Sequence, residues 1–235
     1  MKKRVLCIAA VFFSAVLVNA QELTVNYRVV YNTQSPDLFA EAGLSEEMRS
    51  SLAKAYKDVV MTYRLTYIAG ESDFRAIPPK EKQEIVFMGQ KINPFAELEK
   101  GKQNYIYKNH RDSLVLNLTT VFGKDFVIRE ELLPEPYDIV EGEVKEILGY
   151  ECRKAVSKDG KKTVWFAVHI PIANEPFVCG MDGLVLEYDD GKQLYTATEI
   201  LDTVAREIVR PDEQQAVSAK EFSEMIQRRV ERMRR

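Results

Sequence analysis

Two Asp-Gly dipeptides constrain this chain more than any other feature. Asp159-Gly160 separates Tyr150–Val156 from Lys162–His169, and Asp190-Gly191 separates Leu184–Tyr188 from Gln193–Leu201. The flanking segments are rich in β-branched and aromatic residues and carry the period-2 alternation of half-buried strands. Asp-Gly between two such runs predicts a tight hairpin in which both central residues take positive φ. A chain with two of these must contain antiparallel sheet.

Strand patterns continue through most of the rest. Leu23–Tyr31 alternates until Ser35-Pro36 breaks it. Ser45 can then cap a helix, with Glu46 and Glu47 in the first turn, where the helix dipole favours anions. Met48, Leu52, Ala55, Tyr56 and Val59 fall on one face of that helix. Met61–Ile68, a turn at Gly70 and a strand over Asp73–Ile77 follow, stopped by Pro78-Pro79. Lys80–Lys102 is charged and is expected mainly as loop. Asn104–Asn109, Ser113–Phe122 and Asp125–Glu131 read as strands, and Pro134 and Pro136 mark a break. The last predicted element, within 212–235, is an amphipathic basic helix. Ser218-Ala-Lys-Glu221 is its capping box. Phe222, Met225, Ile226, Val230 and Met233 form its apolar stripe, opposite Arg228, Arg229, Arg232, Arg234 and Arg235. That basic face suits peripheral contact with an anionic surface. With no repeat or low-complexity linker, residues 21–235 read as a single domain.

Residues 1–20 stand apart. Lys2, Lys3 and Arg4 precede an apolar run from Val5 to Val18, and Val18-Asn19-Ala20 has the small-residue form of a cleavage site. The run falls short of the ~20 apolar residues that a spanning helix needs. A signal peptide cleaved after Ala20, export to a periplasmic or extracellular space and no transmembrane segment are therefore expected. Cleavage removes three basic and no acidic groups, moving the formal charge from −3 to −6. This mild acidity of the chain as a whole gives no reason to expect nucleic-acid binding. Cys152 and Cys179 remain, an even count in an oxidising compartment. A disulfide between them would close a loop of about 28 residues and stabilise by roughly 3–4 kcal/mol. Two unlinked buried thiols are the other reading.

Chemistry-bearing motifs are sparse. His110 and His169 sit in no metal-ligand spacing, and no G-x-S-x-G elbow, phosphate loop or G-x-G-x-x-G occurs. Glu130-Glu131, Asp182 with Glu187, and Asp189-Asp190 lack the spacing of a calcium loop. No metal and no cofactor are expected. A cysteine nucleophile would need a histidine base, and His169 with Cys179 is the pair available. Asn117-Leu-Thr119 fits a glycosylation sequon. Tyrosines and the tryptophan are the more suggestive population: Tyr63, Tyr67, Tyr105, Tyr107, Trp165, Tyr188 and Tyr195 all lie in predicted strands. On a curved sheet they could line one apolar face for an apolar guest. Core packing is the simpler reading of them.

Several separated segments, in order, resemble one family. They are Tyr63-Arg-Leu-Thr-Tyr67 with Ser72 and Phe74, Lys124–Glu130, Glu146–Ala155 around Cys152 and Lys154, Thr163-Val-Trp-Phe166, and Gly180-Met181-Asp182-Gly183-Leu184-Val185. The chain resembles the GLPGLI family, small exported proteins of Gram-negative envelopes named for a hexapeptide. Gly180–Val185 stands in that hexapeptide's place, with Gly180, Gly183 and Leu184 kept. Met181 replaces a leucine and Asp182 a proline. Pro-Gly and Asp-Gly both set tight turns, so the change is mild. Cys179 is peculiar to this chain, so a disulfide is not inherited from the family.

The resemblance implies a β-rich envelope protein, built like the curved-sheet lipoprotein carriers of that compartment. The expected fold is α+β and β-rich: a strongly curved, half-barrel-like antiparallel sheet with one internal and one C-terminal helix. The expected role is non-enzymatic binding or carriage of an apolar or amphipathic ligand. An accessory of an outer-membrane transporter or other envelope assembly is the alternative, with a thiol or carboxylate enzyme third.

Overall fold

The computed structural model describes residues 22–40, 44–99, 105–172, 180–204 and 206–233. The leader, Cys179, Arg234 and Arg235 lie outside them. Among the described residues the chain is β-rich, with two longer helices and no helix long and apolar enough to cross a membrane.

Strand β1 is Glu22–Tyr31, and helix α1 is Glu46–Ala55. Strands β2 (Val60–Ile68) and β3 (Glu71–Ile77) follow, then β4 (Ile85–Phe87), β5 (Gln90–Ile92) and the single turn α2 (Ala96–Glu99). Next come β6 (Tyr105–Asn109), β7 (Leu114–Val121), β8 (Lys124–Glu131), β9 (Tyr137–Ile147) and β10 (Tyr150–Ser157). The chain continues with β11 (Thr163–Ala167), β12 (Leu184–Asp189), β13 (Gln193–Leu201), β14 (Val217–Ser218) and α3 (Ala219–Met233). Twelve strands form one sheet in the order β14-β8-β7-β6-β3-β2-β1-β13-β12-β11-β10-β9, while β4 and β5 pair separately. Strands β14 and β9 end the sheet without pairing with each other, so it does not close into a barrel.

Both expected Asp-Gly hairpins form, but not with the expected backbone. Gly160 and Gly191 are left-handed, whereas neither Asp159 nor Asp190 is. The aspartates instead accept backbone N–H groups. Asp159 Oδ1 takes that of Lys161 at 3.1 Å, and Asp190 Oδ1 takes those of Lys192 at 2.8 Å and Gln193 at 2.7 Å. These longer Asx-type loops satisfy the turn without forcing a side-chain residue to positive φ. Two-residue turns with both residues left-handed occur at Ala69-Gly70, Met88-Gly89, Phe122-Gly123 and Leu148-Gly149.

Two further expectations need correction. The segment read mainly as loop, Lys80–Lys102, contains the β4–β5 hairpin and α2; three-residue strands beside a charged run are too short to show periodicity. The sheet is mixed rather than wholly antiparallel, because β14 runs parallel to β8 with Val217 opposite Ile128. The connection that follows β13 is long enough to cross a sheet face and return in the same sense, as parallel pairing requires. Helix α3 packs against the sheet. It lies at the sheet's β8–β14 end, with Phe222 edge-on to Phe126 at 5.2 Å. Its capping box forms as expected: Glu221 accepts the Ser218 N–H at 2.8 Å and donates its own N–H to Ser218 Oγ at 3.2 Å. Ser45 likewise caps α1 through the Met48 N–H.

The main core joins Leu23, Val25, Tyr27, Leu65 and Phe74 to Cys152, Ala167, Ile170, Ile172, Leu184 and Leu186. A second cluster holds Ala155, Val164, Phe166, Met181, Val185 and Tyr188. A third, of Tyr105, Tyr107, Leu114 and Leu116, occupies the opposite face of β6 and β7. Register shows why. Leu65 pairs with Phe74 and Phe74 with Ile106, so Tyr105 and Tyr107 point away from the main core.

Candidate functional site

The seven aromatics do not share a face. Tyr63, Tyr67 and Trp165 pack on the main core, Tyr188 belongs to the second cluster, and Tyr195 touches both. Tyr105 and Tyr107 lie across the sheet. Tyr63 stacks on Phe74 at 4.9 Å and 15°, and Tyr195 sits 5.8 Å from the rings of both Tyr63 and Tyr188. Burial pushes the hydroxyls of Tyr63, Tyr188 and Tyr195 upward. Trp165 is covered by Lys145, whose ammonium lies 4.3 Å from its ring and 2.6 Å from Glu187 Oε1. These side chains build core, not one ligand face.

Gly180–Val185 is a packing turn. Gly180 takes φ +95, Met181 is buried, and the Leu184 N–H donates to the Ile170 carbonyl at 2.9 Å. Gly183 has no room for a side chain: a Cβ there would lie 2.2 Å from the Ala167 carbonyl oxygen. Close backbone approach therefore requires glycine at this position. Cys152 is fully buried with a free thiol, pushed up to about 11 chiefly by burial. Its expected partner Cys179 lies outside the described residues, as does the His169–Cys179 pairing. His110 and His169 are both exposed. Among the described residues no three histidine, cysteine or carboxylate groups cluster as a metal site.

Sequence reasoning missed the polar array on the far face of β3 and β6. Asp73 is 0 % exposed. One Arg206 nitrogen lies 2.6 Å from both its carboxylate oxygens, and Arg75 lies 3.0 Å from one of them. Arg206 begins a strap, residues 206–216, that crosses the third core cluster. Ile208 packs on that cluster, the Tyr105 hydroxyl donates to the Val209 carbonyl, and Arg210 binds Asp112 and Glu213 at 3.2 and 2.6 Å. Burial, then the Asp73 charge, pushes the Tyr105 hydroxyl up to about 12.

Beside the strap, at the β2–β3 turn, opens a cleft of about 390 Å³ lined by Ile68, Ala69, Glu71, Arg111, Glu207 and Ile208. Glu71 is held from behind, with Oε2 accepting from the Tyr107 hydroxyl at 2.9 Å and Oε1 from Asn109 Nδ2 at 3.2 Å. Asn109 is itself buried and accepts the Asp112 N–H, which shapes the turn carrying Arg111. Among the described residues neither Glu71, Arg111 nor Glu207 has an ion-pair partner. No local signal unites residues 71, 111 and 207; the sheet register and the strap bring them together.

No family model matches the chain, and no curated protein matches it. Solved structures do. PNGF-II in its C2 space group superposes with a TM-score of 0.50 at 15% identity over 88% of this chain, and PNGF-II in its P21 space group with a TM-score of 0.47 at 16% identity over the same share. The chain spans about a third of PNGF-II, 32% and 33% of its length in the two forms. At this identity the first likeness concerns fold alone: this chain has the β-rich sheet architecture of that part of PNGF-II.

Proposed function

We propose that this chain is an exported envelope protein of the GLPGLI type that acts by binding an amphipathic ligand rather than by transforming one. The observation that carries this reading is the cleft at the β2–β3 turn, where ionic groups of both signs stay unpaired around an apolar floor. A recess of this size, with a few convergent polar groups, is the usual form of a small-molecule site. Cys152 is not offered as a nucleophile, because it is buried and its proton is held more tightly than that of an ordinary thiol.

The sheet, on this reading, is strongly bent and half-barrel-like, akin to lipoprotein carriers. What supports the bend is that Phe74 of β3 and Cys152 of β10, six places apart in the strand order, share one core. The main core is filled by side chains, so the ligand seat is assigned to the turn that joins the central strands β2 and β3.

A second reading, an accessory in an envelope assembly, draws on the free edge strand β9 and its turn. There Ile139, Val144 and Leu148 are 41, 58 and 44% exposed. Native mass spectrometry of the protein purified without detergent from its own envelope separates the two. A small-molecule adduct lost on mild activation is expected. A bare chain that also converts no envelope metabolite, or a stoichiometric membrane protein in place of the adduct, overturns the ligand reading.

A further inference from the structure

From the side chains around the β2–β3 cleft we infer the chemical class of its ligand: a zwitterion with a short apolar side chain, namely a free α-amino acid or the terminus of a small peptide. This rests on the binding reading above and specifies its site.

Comparison of the clefts singles this one out. A cleft of about 580 Å³ beside β14 is lined by Asp112 and Arg129, but Asp112 is bound by Arg210 and Arg129 lies 3.5 Å from Glu213. Its one cation is already matched, and Glu130 and Glu131 add only negative charge there. The apolar cleft between α3 and the β7–β8 turn measures about 150 Å³, small beside the roughly 300 Å³ of ordinary ligand sites. A cleft of about 230 Å³ beside α1 carries Glu46 and Arg49 but is also below that size; the β2–β3 cleft combines adequate volume with unpaired charge of both signs.

The charges then select the ligand. A lone cation would satisfy Glu71 and Glu207 but leave the Arg111 guanidinium facing an empty recess. A lone carboxylate would pair with Arg111 and meet two like charges. A molecule bearing an ammonium and a carboxylate satisfies both signs at once through charge-assisted hydrogen bonds, which are about twice as strong as neutral ones. Its ammonium goes to Glu71, whose oxygens are fixed by Tyr107 and Asn109 and so need no reorientation on binding. The apolar floor of Ile68, Ala69 and Ile208 then receives an aliphatic side chain rather than a further polar group.

Calorimetry and amide chemical-shift mapping on the full chain, with L-leucine and dileucine as probes, test this. Leucinamide lacks the carboxylate, N-acetyl-leucine lacks the cation, and glucose supplies only hydroxyls. Expected is saturable binding of leucine or dileucine with shifts centred on residues 68–71 and 207–208. Each blocked analogue should bind about tenfold more weakly or worse. Glu71→Gln and Arg111→Met should each reproduce that loss, while Lys91→Met on the separate hairpin should not. Arg111 is exposed, so its variant should fold; a far-UV spectrum matching the parent checks this. Equal binding of the zwitterion and its blocked forms, tighter binding of glucose, or no shift with any probe overturns the assignment. If native mass spectrometry shows a bound small molecule while leucine and dileucine leave the cleft unperturbed, this inference fails and the binding reading stands.

Discussion

Removing the Arg206 guanidinium, as in Arg206→Met, should destabilise the protein far more than an ordinary surface substitution. Asp73 is fully buried, and Arg206 supplies close contacts to both its oxygens. Breaking a buried ion pair by deleting one partner costs about 3–5 kcal/mol, because the surviving charge is left desolvated. Arg75 remains at 3.0 Å, so the lower end, about 3 kcal/mol, is expected. For a domain of this size that corresponds to a fall in Tm of roughly 6–12 °C. Urea unfolding should show the same loss as a lowered midpoint with an unchanged slope. The diagnostic comparison is the double variant Asp73→Asn with Arg206→Met. Neutralising the stranded carboxylate should recover at least about 1 kcal/mol relative to Arg206→Met alone. A single-variant cost below about 1 kcal/mol, or simple additivity in the double variant, would show that the buried pair does not hold the strap to the sheet.

Gly183→Ala places a methyl against backbone atoms that cannot rotate away, and about 2–3 kcal/mol of destabilisation is expected from thermal melts; a neutral result would mean that the turn is not packed on Ala167. Leu148→Asn should stabilise by about 0.5–1 kcal/mol, since Leu148 is 44% exposed at φ +53, a region asparagine tolerates far better; a lower urea midpoint would refute this. Cys152 should resist a thiol reagent at pH 8 in the folded state. Its proton is held more tightly in the folded chain than in the unfolded one, so its stabilising contribution is complete below pH 9 and lost as pH rises through about 11. Cys152→Val should make the urea midpoint less sensitive to pH across that interval, and an identical pH dependence in the variant would count against the burial argument.

Local pattern alone settled much of the architecture. The alternation of β1, β2, β7 and β8 is legible because a strand with one covered face repeats every second residue. The Ser45 cap and the Ser218–Glu221 box are legible because their hydrogen bonds span only three residues. The Asp-Gly pairs located two hairpins correctly, though not their turn geometry, because aspartate has a side-chain route to the same chain reversal.

What tertiary structure decided lies where a residue's neighbour is remote in sequence. Ser72, Asp73 and Phe74 are all buried, since β3 is covered on both faces, and no alternation could announce a fully buried carboxylate. Its partner Arg206 is 133 residues away. Register sends Tyr63 and Tyr107 to opposite faces although both look alike as strand tyrosines. Glu71, Arg111 and Glu207 meet only because β6 pairs beside β3 and the strap returns across them. Composition and period report what a segment wants locally; which charges end unpaired around one cleft depends on pairing over distances that a single sequence does not encode in any short window.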